Sequence, residues 1–119
     1  MDEDKIKARL SYWQRILRLQ DWDIDVRIER LHTMGDGLTG QCIREDNSRT
    51  ARVRLLDPQD YNADALPPGD FEETLVHELL HVVFHGASNE TENRVAFEQA
   101  IDSTARALVG FDRSIERSC

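Results

Sequence analysis

The sequence predicts a small α+β domain, and three observations predict it. The chain has 119 residues, the length of one domain with a single core. Apolar residues recur at helical period near the N-terminus and across the C-terminal half, while the segment between alternates apolar and charged residues as strands do. No internal repeat and no linker-like stretch divides the chain, so residues 1–119 are read as one domain.

Residues 4–20 read as an amphipathic helix. Ile6, Leu10, Trp13 and Leu17 recur at helical steps, and Lys5, Lys7, Arg9 and Arg15 fall elsewhere. Next, Trp22, Ile24, Val26 and Ile28 alternate with Asp23, Asp25, Arg27 and Glu29, giving a strand with one buried and one charged face. A Gly-rich loop at 34–37 leads to a weaker strand over 38–44. The turn signal Glu45-Asp46-Asn47-Ser48 then separates it from a strand over Thr50 to Leu56, in which Ala51, Val53 and Leu55 alternate with Arg52 and Arg54. The expected sheet has three strands and is largely antiparallel. Asp57-Pro58 ends it, and Pro67-Pro68-Gly69 closes the following loop. A second helix starts with Asp70 as N-cap and Glu73 at the third position, runs to His85 and stops at Gly86. Asn89 with Glu92 caps a third helix from about Glu90 to Val109, stopped by Gly110, and the polar tail 111–119 is expected to fray.

Composition excludes several functions. Asp and Glu number 23 against 15 Lys and Arg, a net charge of −8, which disfavours nucleic acid as a partner because that binding rests on phosphate neutralisation. Arg44, Arg49, Arg52 and Arg54 form a local basic cluster, read as the solvated side of a hairpin. No apolar run approaches the roughly 20 residues of a membrane helix. The acidic start, Met1 to Lys5, has no apolar segment behind it and does not read as a secretory signal. The chain is therefore expected in a cytoplasm, with Cys42 and Cys119 as reduced thiols.

The chemistry is concentrated in the second helix, at His77-Glu78-Leu79-Leu80-His81. Residues four apart share a helical face, so both imidazoles can reach one Zn²⁺. Glu78, one step on, stands at the edge of that face, where it can approach a water activated by the ion without ligating it. Leu75, Val76, Leu79, Leu80, Val82, Val83 and Phe84 make this helix apolar on nearly every other side, as a central helix is. Polar groups there must be paired or hold a metal.

A zinc site needs a third protein ligand, with the fourth position left to water if it is catalytic. Glu98 lies within the stripe Val95, Ile101, Ala105 and Leu108 of the third helix, and a carboxylate on a buried face is informative. Asp102, four residues on, can accept a hydrogen bond from the far nitrogen of a ligating His and so orient the ring. Other third ligands are open. His85 continues the line of His77 and His81, but three successive turns span about 12 Å of helix, too far for one ion, and a His suits the end of a helix. Glu92 reads as a capping residue, Cys119 as a terminal thiol that could block the site, and His32, in a loop, is assigned no role.

H-E-x-x-H at 77–81, followed by Glu98-Gln99-Ala100-Ile101-Asp102 on the next helix, resembles the gluzincin pattern of zinc metallopeptidases, H-E-x-x-H and then E-x-x-x-D. The likeness covers residues 70–109. In size and element order the chain resembles the minimal single-domain members called minigluzincins, and it is similar to small phage- and prophage-encoded H-E-L-L-H proteins. The resemblance implies a zincin-like fold with the motif helix packed on the sheet, zinc held by His77, His81 and Glu98, and Glu78 as general base. Asp102 would orient His77, and the substrate would be a peptide or protein. The second lobe that in larger members supplies an oxyanion donor is missing, leaving Tyr61 or His85 as substitutes. The strand over 50–56, if it is the edge strand, would pair with an extended substrate.

Two rival readings stand beside the peptidase. One is a structural or regulatory zinc module without turnover, such as a phage accessory protein. The other is a metallohydrolase acting on a cell-wall peptide or a small amide. A latent form is a further expectation, with the polar tail lying in the cleft.

Overall fold

The computed structural model describes residues 3–66, 68–86 and 93–118. Pro67, the Asn89–Glu92 cap pair, the predicted start at Glu90 and Cys119 lie outside them. Among the described residues the fold is α+β, with four α-helices and one three-stranded sheet. The order is α1 (Glu3–Ile16), β1 (Asp23–Glu29), α2 (Leu31–Met34), β2 (Gly40–Glu45), β3 (Thr50–Leu56), a 3₁₀ turn (Pro58–Asp60), α3 (Phe71–Val83) and α4 (Arg94–Ser118).

The strands fall where the alternation places them, but their pairing differs from expectation. The sheet order is β1-β3-β2, with β1 parallel to β3 and β2 antiparallel to it, so the sheet is mixed rather than largely antiparallel. Burial gives the reason. Ala51, Val53, Leu55 and Leu56 of β3 are all buried, and the most apolar strand takes the centre. The 30–39 segment, which contains α2, is longer than a tight hairpin and reaches across the width of β3. β3 is therefore paired on both sides, and the edge strands of the sheet are β1 and β2.

Val26, Val53, Leu55 and Ala51 line the inner face of the sheet and share one core with Trp13 of α1, Leu75, Val76, Leu79 and Val82 of α3, and Ile101 and Val109 of α4. α3 is the central helix, buried on nearly all sides. The arginine cluster does not form one patch. Arg52 and Arg54 lie on the outer face beside Asp25 and Glu29, Arg49 pairs with Asp21, and Arg44 bonds Asp46 at 2.8 Å and the His85 carbonyl at 3.2 Å.

Helix ends depart from the sequence-based expectation in three places. α1 stops at Ile16, where Arg18 adopts a left-handed conformation (φ 61°) that turns Leu19 back into the core. α3 stops at Val83, ahead of His85, and is not closed by a left-handed Gly86. Its last carbonyls are taken up by Phe84 N–H donating to Leu80 O at 2.9 Å and by the His85 backbone N–H donating to Val82 O at 3.1 Å. α4 runs through Gly110 to Ser118 rather than ending in a frayed tail. A helical glycine costs about 1 kcal/mol relative to alanine, and side chains on either side of Gly110 offset it. Val109 is fully buried, buried Asp112 accepts hydrogen bonds from Tyr12 and Arg9, and Arg113 binds Asp70 through both guanidinium nitrogens, at 2.7 and 3.0 Å. These contacts hold 111–113 against α1 and α3, so this stretch does not lie in the cleft. The buried stripe of α4 is Ile101, Ala105, Val109 and Asp112, while Val95 is 72% exposed and leaves the stripe.

Asp70 has two functions at the start of α3. Its side chain accepts from the Glu73 N–H at 3.1 Å and receives Arg113. The Arg113 hydrogen bond is the main cause holding its carboxyl below the usual range. Stability from this depressed carboxylate is present above about pH 3.9, its unfolded value, and is lost as pH falls through the lower folded one. Asp70→Ala is expected to cost about 1–2 kcal/mol at pH 7 through the lost cap. Asp70→Asn, an equally good cap, isolates the Arg113 pair. Urea midpoints at pH 7 and in acid check this, and the gap between wild type and Asp70→Asn should narrow in acid.

Candidate metal centre

α3 and α4 pack side by side and bring three of the predicted residues together. His77 Nε2 lies 3.2 Å from Glu98 Oε2, and His81 Nε2 lies 3.1 Å from Glu98 Oε1. One ligand atom from each of His77, His81 and Glu98 falls within 4.8 Å of the others. Ligand bonds of 2.0–2.2 Å around a tetrahedral zinc place donors about 3.3 Å apart, so the group fits the ion. The fit begins in the sequence. His77 and His81 are one turn apart on α3, with ring centroids 5.3 Å apart. Ile101, Ala105 and Val109 turn α4 so that Glu98 faces them. Side chains of His77 and His81 are 20% and 16% exposed and that of Glu98 is 44% exposed, so water reaches the group. Burial lowers the His81 pKa, favouring the neutral ring that ligates.

His77 Nδ1 faces Asp102 Oδ1 at 3.5 Å, which places Asp102 behind the ring as expected of a carboxylate that fixes its tautomer. Glu78 stands apart from the other acids among the described residues. It is 7% exposed, and no hydrogen bond reaches its carboxylate among the described residues. Burial, and secondarily the charge of Glu98, pushes its pKa up to about 8. A recess of about 260 Å³ opens beside it, lined by Thr39, Tyr61, Thr74, His77 and Arg106 among others.

Of the two oxyanion candidates, Tyr61 lines this recess. Its ring packs against Gly69, where an added Cβ would sit 2.6 Å from the ring, and burial pushes its phenol up to about 12. The hydroxyl is buried and has no hydrogen bond of ordinary geometry among the described residues. His85 is not brought to the cluster. Its Nδ1 donates to the Val82 carbonyl at 3.0 Å, and its ring stands edge-on to Trp22, as suits a residue past a helix end. His32 lies on α2, away from the recess. Cys42 faces the same interior as Glu78, and burial raises its thiol to about 12, too high for a reactive thiolate.

Two residues at the site are not evident from the motif. Gly40 of β2 lies directly over the motif helix, and a Cβ there would come within 2.7 Å of Thr74 Cγ2 and 2.9 Å of Glu78 Oε2. A glycine inside a strand is the usual signal of such a close approach. Arg106, four residues after Asp102, grips that carboxylate at 3.0 Å. Comparison with known protein families, with curated proteins and with solved structures found no match to this chain.

Proposed function

We propose that the chain is a zincin-like, zinc-dependent metallopeptidase. The observation that carries this reading is the pairing of two features on adjacent turns. The first is a His77–His81–Glu98 group of ligating geometry open to water. The second is Glu78, a mostly buried side chain that lines the adjoining recess and takes no hydrogen bond among the described residues. A structural zinc site has no need of an acid facing open space at its side, whereas a hydrolytic one needs a general base there.

His77, His81 and Glu98 would hold the ion through Nε2, Nε2 and a carboxylate oxygen. Zinc bound there supplies Lewis-acid polarisation of a peptide carbonyl and of water. Glu78 takes a proton from the attacking water and passes it to the leaving amine nitrogen. Asp102 keeps the His77 Nδ1 proton in place. Tyr61 borders the recess, but its hydroxyl is buried and would have to turn outward to face the oxyanion.

An extended peptide would bind along β2 rather than the central strand. Leu56 N–H donates to Thr39 O at 2.9 Å. The antiparallel alternation then leaves the backbone groups of Gly40, Cys42 and Arg44 pointing to the free edge. Strand addition there would carry a scissile carbonyl past Glu78.

The test is metal analysis joined to a peptide-library cleavage assay. One zinc per chain is expected, with cleavage that stops on chelation and returns with zinc. Zinc without cleavage of any library peptide would leave a structural or regulatory module. Absence of zinc would overturn the metal reading altogether.

A further inference from the structure

Behind the metal cluster the structure carries a chain of charged contacts longer than one carboxylate can provide. Asp102 has two carboxylate oxygens with different partners. Oδ1 faces His77 Nδ1 at 3.5 Å, and Oδ2 accepts from Arg106 at 3.0 Å. The Arg106 Nε on the same guanidinium lies 3.9 Å from Glu73 Oε1 of α3. Glu73 is four residues before His77, so it stands one turn below His77 on the same face of the motif helix. Arg106 thus reaches from α4 across to α3 beside the ring that Asp102 orients.

We infer that Arg106 is a positioning residue for His77, acting through Asp102; the inference rests on the zinc reading given above. The physical case has three parts. A half-exposed aspartate on a helix surface has several rotamers, and only those that aim Oδ1 at His77 orient the ring. A guanidinium held on the opposite oxygen selects those rotamers, and its planar fork does so with less entropy lost than an ammonium would lose. With Oδ2 held by Arg106, Oδ1 stays directed at His77 Nδ1, which turns the ring so that Nε2 faces Glu98 and the place an ion would take. The longer contact with Glu73 adds little energy, as exposed pairs do. It does bias the guanidinium toward α3 on the His77 side. Arg106 faces the recess as well, so the experiment must separate positioning of His77 from action on a substrate.

Zinc affinity is measured by competition with a chromophoric chelator for wild type, Arg106→Gln, Arg106→Lys and Asp102→Asn. Far-UV circular dichroism and urea midpoints report folding. The exchange rate of the His77 Nδ1 proton is followed by NMR in the zinc-loaded proteins. Arg106→Gln is expected to weaken zinc about 10-fold, the low end for outer partners of a ligand. It should also speed exchange of that proton, while Arg106→Lys restores most of both. Asp102→Asn should show at least the loss seen for Arg106→Gln. If wild type binds zinc and Arg106→Gln matches it in affinity and in proton exchange, the positioning role is overturned while the zinc reading stands. The positioning role also fails if Arg106→Gln loses only turnover, which would place the guanidinium on the substrate. A wild type that binds no zinc overturns the zinc reading itself.

Discussion

Replacing Glu98 by alanine is expected to weaken zinc binding by more than about 100-fold, beyond the upper range for loss of an outer partner. Glu78→Ala and Glu78→Gln are expected to leave it nearly unchanged. The two glutamates are close in space and opposite in character. Glu98 is 44% exposed and lies 3.1–3.2 Å from both imidazole Nε2 atoms, so its removal takes one of three donors and leaves the fold intact. Glu78 contributes no atom to the three-donor group. Its side chain is mostly buried and takes no hydrogen bond among the described residues, and neutral glutamine is cheaper to bury, so Glu78→Gln should be as stable as wild type or slightly more so. Cleavage should fall by about 10²–10⁴-fold in Glu78→Gln, the usual worth of a general base. Metal content and turnover on the same two variants therefore separate the roles. Equal zinc retention in wild type and Glu98→Ala would sink the ligand assignment, and persistent cleavage by Glu78→Gln would remove Glu78 as the base.

Much of this site is legible in the sequence, because its parts are spaced by helix geometry. His77 and His81 need only a helical turn to converge, and Glu98 and Asp102 repeat that interval on the facing helix. The carboxylate of Glu98 is conspicuous because it interrupts an apolar pattern, although that pattern includes Val95, which turns to solvent. What local period cannot give is the order of strands. Alternation marks β1 and β3 clearly and β2 more weakly, but the place of β3 between the other two comes only from packing. The helix through Gly110 is hidden for a similar reason. Its support comes from Asp112 on Tyr12 and Arg9, and from Arg113 on Asp70, contacts between residues distant in sequence. Arg106 lacks a signal strong enough to single it out, since an Asp–Arg pair four apart is common on any helix surface.

Gly40→Ala should abolish most turnover while leaving zinc in place, and the reason lies in what a single methyl would meet. Its Cβ would stand 2.7 Å from Thr74 Cγ2, 2.9 Å from Glu78 Oε2 and 3.2 Å from Glu78 Cγ. These contacts differ in kind. The Thr74 methyl is attached close to the backbone of a buried helix, so β2 or α3 must shift, and overpacking of this sort costs about 1–3 kcal/mol. The Glu78 carboxylate is the far end of a flexible side chain and can swing away at little cost in stability. That displacement is what matters for catalysis, because misplacing a reacting group by about 1 Å can cost 10²-fold in rate. Among the nearest atoms none belongs to His77, His81 or Glu98, so metal affinity should hold. A second substitution divides the two effects. Thr74→Ser removes Cγ2 but keeps the hydroxyl that donates to the Asp70 carbonyl at 3.0 Å. Gly40→Ala with Thr74→Ser should therefore recover stability in urea without recovering turnover. If the double variant regains both, the loss came from strain between β2 and α3. Should Gly40→Ala alone cleave as well as wild type, β2 does not set the position of Glu78, and the edge strand loses its place in the proposed substrate path.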